Sequence, residues 1–149
     1  MKKKKDYKRS SYVRALDDVF SHYLRQRYAD DDGYVRCYTC DTVLHWTEIQ
    51  CGHYYSRGAQ ATRWDEKDCR PQCYSCNVGK NGNYPVFAKR LRQEIGDDGM
   101  DELEALSHST SKFLRPELLQ MITYFYSQLR WPEQISKTLA RELHQFKVI

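Results

Sequence analysis

The sequence predicts an α+β fold in which helices flank a central segment of short strands. Apolar residues recur at three- and four-residue steps near both ends of the chain, as they do on the buried face of a helix. That periodicity is lost over residues 34–96, where short strand-like runs alternate with turns. Two Cys-x-x-Cys pairs lie within the same central segment. At 149 residues, the chain has the length of one domain.

The N-terminal part predicts a tail followed by a helix. Residues 1–9 hold six basic residues and one acidic residue, and we expect them to form a flexible basic tail. Residues 10–149 are then a single folded domain. Its first helix falls within residues 10–30, because Ser10 or Ser11 can cap it and an Asp-rich turn ending in Gly33 stops it. Its core-facing stripe is Val13, Leu16, Phe20, Tyr23 and Leu24.

The rest of the chain predicts strands and then helices. Strand-like runs cover residues 34–37, 43–46, 50–55 and 68–72, and the chain turns helical near Cys76. A helix over residues 84–95 should end at Gly96. The C-terminal region, residues 97–149, predicts a short helix over residues 100–106 and two longer ones that begin at Pro116 and Pro132. These helices could cover the central segment or form a dimer surface.

Composition excludes several classes of protein. The chain is 40% hydrophobic and 30% charged, and no apolar run approaches the roughly 20 residues that cross a bilayer. The basic start has no apolar region typical of a secretory signal, so we expect a cytoplasmic protein with no membrane contact. The net charge of +4 is concentrated in the tail and in residues 51–96, which hold eight basic and four acidic residues. This asymmetry favours a polyanionic partner, although the tail could be only a solvated end.

The cysteines predict a structural zinc site. Cys37-x-x-Cys40 and Cys73-x-x-Cys76 supply four thiolates, which is the ligand set of a closed tetrahedral site. The 32 residues between the two pairs exceed the spacing of common zinc ribbons, so a substantial insertion lies between them. The alternative is two unrelated pairs of buried thiols. Cys51 and Cys69 lack such partners and are interpreted as small core residues.

The insertion contains the residues with catalytic chemistry. His53 lies in a predicted strand, a second strand enters the Cys73 pair, and Asn77 follows the last cysteine directly. This order resembles the HNH, or His-Me finger, nuclease motif, in which a ββα unit sets a histidine opposite a divalent metal. The resemblance implies a zinc-stapled ββα-metal core. A histidine suits a general base because its pKa lies near neutrality. A buried structural histidine is the alternative.

The motif implies roles for individual residues. His53 matches the family's general base, Asn77 its helix ligand for catalytic Mg²⁺ or Mn²⁺, and Asp68 the middle residue that ties the loop and helps to orient the base. The departure is Gly52, where many HNH nucleases carry a metal ligand. Either Asn77, DNA oxygens and water hold the metal, or an acidic group reaches in. The acidic candidates are Asp65, Glu66 and Asp68.

A longer pattern resembles the phage NinG/Rap recombination endonuclease family. It comprises the first Cys pair, Trp46, Gly52-His53-Tyr54, Arg63, and the run from Gln72 through Asn83. The resemblance implies a bacteriophage nuclease that cuts Holliday junctions, D-loops or similar branched DNA beside recombination proteins, in the host bacterial cytoplasm. A homodimer is plausible because a two-fold junction needs paired active sites.

Basic and aromatic side chains near the motif are candidates for DNA contacts. The predicted phosphate-binding residues are Arg57, Arg63 and Lys80, and further candidates are Arg70, Lys89, Arg90 and Arg92. Tyr54 and Trp64 could stack on unpaired bases or pack in the core. The remaining histidines are interpreted as ordinary helix or surface residues: His22, His45, His108 and His144.

Two other functions fit the same sequence. One is a generic HNH nuclease that cuts ordinary duplex DNA. The other is a non-catalytic zinc module that binds nucleic acid, with Gly52 as the sign of lost activity.

Overall fold

The computed structural model describes residues 6–149, so residues 1–5 of the predicted tail lie outside the described part. It confirms an α+β fold with small antiparallel sheets. The α-helices are α1 (Arg9–Arg27), α2 (Gln60–Arg63), α3 (Tyr84–Ser107), α4 (Arg115–Ser127) and α5 (Lys137–Gln145). The strands are β1 (Tyr34–Arg36), β2 (Val43–His45), β3 (Gln50–His53) and β4 (Cys69–Gln72). A π-helical turn spans Ser75–Gly79, and a 3₁₀ turn spans Pro132–Gln134.

The chain divides into two compact units. One contains residues 24–112, and the other contains residues 113–149 together with the described N-terminal residues up to Tyr23. The first unit holds all four strands. β1 pairs with β2, and β3 pairs with β4, both antiparallel. The register of the second pair sets His53 directly opposite Cys69.

A small apolar core supports the strand-bearing unit. It consists of Phe87, Leu91, Met100 and Leu103, all on α3, with Tyr38, Tyr54, Tyr55 and Ile95 packed against them. Gly96 interrupts α3 with φ of 76°, a backbone conformation that side chains other than glycine rarely adopt. The helix bends there, so that residues on both sides of the kink reach the same core.

The other unit is a helical cluster. Four residues of the predicted α1 stripe are buried, and the fifth, Val13, is half-buried. Phe20 packs edge-on against Phe125 of α4 with ring centroids 5.0 Å apart. Ser136 caps α5 by accepting a hydrogen bond from the Leu139 N–H at 3.1 Å. His22 is buried, and its ring contacts the Asp18 carbonyl and the Ser136 N–H. It therefore serves packing in this unit.

Most predicted elements occur, with shifted ends. The four strand-like runs and the helices near both ends are present, but each strand is shorter than its apolar run. Gly96 ends one helical stretch as expected, yet the next begins at once instead of after a loop. The last helix begins at Lys137, because Pro132 starts only a 3₁₀ turn. Over the described residues, no helix is both long and apolar enough to span a membrane.

Candidate metal centre and active site

The four paired cysteines form one cluster. Cys37, Cys40, Cys73 and Cys76 place their Sγ atoms within 4.8 Å of one another. The Sγ atoms of Cys40 and Cys73 lie 3.6 Å apart. Thiolates at about 2.3 Å from a tetrahedral zinc would be separated by about 3.8 Å, so the cluster has the size and donor set to hold a metal such as zinc.

Hydrogen bonding and burial shift the pKa values of the cysteine thiols in opposite directions. Cys40 is exposed, and its hydrogen bond with Thr42 Oγ1, at 3.1 Å, lowers the pKa of the thiol to about 6. Burial raises the pKa of Cys73 to about 12. The Cys73 backbone N–H also donates to the Sγ of Cys37, at 3.3 Å. A bound cation would offset the cost of ionising the buried thiols.

The four-cysteine cluster is joined directly to the hairpin formed by β3 and β4. β4 ends at Gln72, and Cys73 is the next residue. Gln72 is fully buried, and its Nε2 donates to Thr39 Oγ1 at 3.0 Å and to the Gly82 carbonyl at 2.8 Å. Thr39 lies between Cys37 and Cys40, so Gln72 fixes β4 to the loop that carries these two cysteines.

His53 ends β3 and is held by the chain between the two strands. Its Nε2 lies 2.9 Å from the main-chain oxygen of Arg63, the last residue of α2. A carbonyl oxygen only accepts, so Nε2 carries the proton of this bond. In a neutral ring Nδ1 then holds the nitrogen lone pair. The side chain is half-buried, so the orientation of the ring is fixed while part of it stays accessible to solvent.

Asp68 ties the ends of this hairpin together. The residue is fully buried; its Oδ1 accepts from the Tyr55 N–H at 2.8 Å, and its main-chain oxygen accepts from the Tyr54 N–H at 2.8 Å. Burial raises the pKa of Asp68 to about 8, against a lowering contribution from the Tyr55 bond. Because it is fully buried, it positions the loop and does not contact a substrate.

Gly52 is closed to any side chain. A Cβ there would collide with Oε1 of Gln72 and would come within 2.7 Å of its Cδ. That Oε1 is buried and accepts no hydrogen bond among the described residues. The absence of a metal ligand at position 52 therefore follows from packing, because Gln72 occupies the space that such a ligand needs.

Asn77 lies in the π-helical turn that follows the second Cys pair. Its Nδ2 donates to Oε1 of Gln50 at 2.8 Å, which leaves Oδ1 as the atom that could bind a cation. Gln50 and Gly52 share one face of β3 since side chains alternate along a strand, while His53 projects from the other face at the strand's end.

The structure buries one of the predicted DNA-binding arginines. Arg70 is only 3% exposed; it pairs with Glu94 at 3.1 Å and donates to the main-chain oxygens of Glu66 and Cys69 at 2.6 and 2.7 Å. It is a structural residue, and the prediction that it contacts phosphate was wrong. Arg90 and Arg92 pair with Asp41 and Asp97 respectively.

The basic residues nearest the motif remain accessible in different degrees. Lys80 and Lys89 are exposed, as is Arg57. Arg63 is half-buried; its Nη1 donates to the Arg57 main-chain oxygen at 3.2 Å, and its guanidinium lies 5.4 Å from the Trp64 ring centroid. Its main-chain oxygen, rather than its side chain, is the part that orients His53.

Both aromatic candidates for base stacking are packing residues. Trp64 is 5% exposed, which rules out stacking on a base in this conformation. Tyr54 packs against Phe87, with ring centroids 5.5 Å apart, and it belongs to the surroundings of the α3 core.

Sequence reasoning also missed a second cluster of metal-binding groups. Cys51, His53 and Cys69 bring their ligand atoms within 4.8 Å of one another. Cys69 is fully buried, as expected of a core residue, but Cys51 is only half-buried. The signal available in the sequence was the i, i+2 spacing of Cys51 and His53, which places both on one face of a strand.

The fold and site define an α+β protein with a four-cysteine cluster that could hold a metal, joined to a histidine-bearing hairpin. Comparison with known proteins adds the family. The family model for "Bacteriophage Lambda NinG protein" matches residues 1–134, and the chain belongs to this NinG family. Three of its relatives are proteins named ninG from Escherichia phage 933W, Escherichia phage lambda and Salmonella phage P22. They are 29%, 28% and 29% identical to it over 98 residues.

These matches have a defined extent. Each covers 65% of this chain and 46% of the relative, so the chain matches about half the length of these relatives. No solved structure matches the chain significantly.

Proposed function

We propose that the protein is a divalent-metal-dependent DNA endonuclease of the HNH, or His-Me finger, type that cuts branched recombination intermediates. The observation that carries the proposal is the orientation of His53, whose Nε2–H is bound to the Arg63 carbonyl on a hairpin that runs straight into a four-cysteine centre. A general base must be held in a fixed orientation, and here the imidazole is fixed by its hydrogen bond and carried on a hairpin joined to the four-cysteine cluster.

His53 performs the proton transfer in this proposal. With Nε2 protonated by its bond to Arg63, Nδ1 is the basic atom of the neutral ring, and it removes a proton from the attacking water. The resulting imidazolium carries N–H groups at both nitrogens, so the bond to the Arg63 carbonyl is retained and strengthened as charge develops.

Asn77 is the protein ligand for the catalytic ion. Its Oδ1 is a hard oxygen donor of the kind that Mg²⁺ and Mn²⁺ accept, and the bond from its Nδ2 to Gln50 fixes the plane of the amide. When bound, such an ion neutralises charge on the scissile phosphate and the leaving oxygen. Because Gln72 closes position 52, the other ligands in this proposal are phosphate oxygens and water.

In this proposal His53 and Asn77 act on different atoms of one phosphate that crosses the end of β3, because His53 projects from the face opposite Gln50, the partner of Asn77. Gln50, the partner of Asn77, lies three residues from His53 along β3, a distance of roughly 10 Å. In a hydrolytic site, the distance from the base through the water and the phosphate to the cation is about 8 Å, which is comparable with this separation. The two side chains therefore need not share a ligand shell.

Basic side chains hold the DNA backbone. Lys80, three residues after Asn77, and Arg57, in the loop after His53, are exposed on elements next to the two site residues. Arg63, the last residue of α2, adds a third cation nearby in the chain. Contacts with phosphate position a duplex without reading its sequence, which suits an enzyme that selects DNA by shape.

The choice of branched DNA rests on membership of the NinG family and on the sequence pattern shared with recombination endonucleases. On this proposal the protein works in the bacterial cytoplasm of the phage host, beside recombination proteins. A homodimer would supply the two active sites that a two-fold junction needs.

The decisive experiment offers the purified protein a four-way junction, a D-loop and a linear duplex of the same sequence, with Mg²⁺, with Mn²⁺ and with neither. We expect metal-dependent cleavage of the branched substrates in preference to the duplex. Equal cleavage of all three would indicate a generic HNH nuclease. Binding without cleavage in any metal would indicate a non-catalytic zinc module, and would overturn the proposal.

A further inference from the structure

Three soft donor groups meet on one face of the β3–β4 hairpin, outside the four-cysteine centre. Cys51 and His53 project from the same face of β3, and the strand register sets Cys69 directly opposite His53. The two Sγ atoms and an imidazole nitrogen all lie within 4.8 Å of one another. Cys69 is fully buried, while the other two residues are half-buried and open the cluster on one side.

The donor set favours a thiophilic ion. Two thiolates and an imidazole bind Zn²⁺ and related metals strongly, whereas Mg²⁺ prefers oxygen. Three protein ligands leave a fourth position for water, which is the pattern of an open zinc site. We propose that Cys51, His53 and Cys69 form a second metal site, which binds one Zn²⁺ ion independently of the four-cysteine centre.

A disulfide is a poorer use of the same cysteines. Cys51 pairs with Pro71 in the register, so Cys69 is its diagonal neighbour across the hairpin. Diagonal neighbours in an antiparallel pair are about 7–8 Å apart at Cα, beyond the separation that a disulfide bridges without backbone movement. A metal ion spans the thiols without that movement.

Metal binding at this site excludes base catalysis by His53, a consequence that rests on the proposed function. A neutral imidazole has one nitrogen lone pair and one N–H. A metal at Nδ1 uses the lone pair that would accept the proton from water. A metal at Nε2 displaces that proton to Nδ1 and breaks the bond to the Arg63 carbonyl. In either case the ring loses its basic nitrogen, so Zn²⁺ at this site inhibits cleavage.

The site itself is tested by counting metal ions, without reference to activity. The folded protein is titrated with Zn²⁺ and with Co²⁺, and bound metal is measured by native mass spectrometry and by thiolate-to-cobalt absorption. We expect the wild-type protein to bind one equivalent at each of the two clusters. Cys51→Ala and His53→Ala should each weaken only the second equivalent by more than about 100-fold.

Control variants assign each bound metal equivalent to one of the two clusters. Cys73→Ser removes a ligand of the four-cysteine centre and the anchor of β4 together, so it should lose both equivalents and show that the second site needs the folded hairpin. Ser56→Ala, in the exposed loop that follows β3, should bind both equivalents and controls for substitution near the hairpin. If the wild-type protein and a folded Cys51→Ala variant both bind one equivalent, the second site does not exist.

Inhibition is tested separately with the four-way junction. The ratio of cleavage rates without and with added Zn²⁺, at constant Mg²⁺, should be large for the wild type and near one for Cys51→Ala. Equal inhibition of both proteins would overturn the inhibitory role while leaving the metal count valid. If neither protein cuts the junction, the proposed nuclease function fails, and the metal count alone decides whether the second site exists.

Discussion

The imidazole Nε2 of His53 donates a hydrogen bond to the main-chain oxygen of Arg63, 2.9 Å away, across the chain that joins β3 to β4. The bond fixes both the orientation of the ring and the nitrogen that carries its proton. Since the partner is a main-chain atom, this orientation does not depend on the Arg63 side chain.

Replacing His53 with alanine should stop cleavage without unfolding the protein. Loss of a general base lowers the rate by about 10²–10⁴-fold, and the half-buried side chain contributes little to the core. Single-turnover cleavage, junction affinity and content of the four-cysteine metal should be measured together. His108→Ala, which removes an exposed histidine in the same unit, is the control. Wild-type cleavage by the His53 variant would refute the assignment of the base.

Adding a methyl group at Gly52 should destabilise the protein. The new Cβ would meet the buried Gln72 side chain at well under contact distance, and overpacking of this kind costs about 1–3 kcal/mol. Urea unfolding of Gly52→Ala measures the cost. Gly58→Ala is the control because its Cβ would meet only Ser56 Oγ, at 3.6 Å.

The cause of that cost can be isolated with a double-mutant cycle. The loss in Gly52→Ala/Gln72→Ala should be smaller than the sum of the two single losses, because the shortened residue 72 no longer collides with the new methyl group. Strict additivity would show that Gln72 is not what closes position 52.

Replacing Cys73 with serine should lower metal content and unfold the strand-bearing unit. Cys73 is both a member of the four-cysteine cluster and the residue that follows β4, so its loss removes the metal and the anchor of the strand together. Metal analysis and thermal melting check this result. Tyr74→Ser alters an exposed neighbour between two of the cysteines and should behave like the wild type. A normal melt of the metal-free variant would argue against a structural metal.

Removing the Arg70 side-chain charge should cost stability and not DNA affinity. Arg70→Met removes the ion pair with Glu94, which keeps its bond from Tyr38, and two bonds to main-chain oxygens. Breaking a buried pair costs about 3–5 kcal/mol, and we expect the lower end because Glu94 is half-exposed. Arg92→Met, from an exposed pair, should change the free energy of unfolding by less than about 0.5 kcal/mol. A folded Arg70→Met that binds DNA more weakly would restore its role as a phosphate contact.

Glu142 should make the helical unit less stable as the pH rises. Burial raises the pKa of Glu142 to about 8, with a further contribution from Asp18, while Arg14 and Arg141 lower it. Because the folded state holds this proton more tightly than the unfolded state, the stabilisation is complete below the ordinary Glu pKa and is lost as pH rises towards 8. The stability of Glu142→Gln, measured relative to the wild type, should therefore be higher at pH 9 than at pH 4.

Thermal melts over that pH range provide the test. The exposed Glu133→Gln is the control, and its difference from the wild type should not change with pH. A pH-independent difference for Glu142→Gln would show that its carboxyl titrates normally.

The sequence predicted the parts of the structure that depend on local pattern. The stripe of α1 and the first-turn proline of α4 follow helical rules that involve neighbouring residues alone. The four-cysteine cluster was also predictable, since the Cys-x-x-Cys spacing brings each pair together without knowledge of the fold.

What the sequence could not predict depends on contacts between distant residues. Arg70 is buried because it pairs with Glu94, 24 positions away, and a count of charges along the sequence cannot reveal such a partner. The packing of Gln72 on Gly52 and the approach of Cys69 to His53 both require the strand register, which the long chain between β3 and β4 leaves undetermined.

Because Cys73 follows β4 directly, folding of the β3–β4 hairpin should depend on metal supply. A newly synthesised chain that has not captured an ion lacks the anchor at the end of its second hairpin strand, so we expect its hairpin to stay unfolded. If the protein is the nuclease proposed above, the amount of available zinc would then determine when it becomes active.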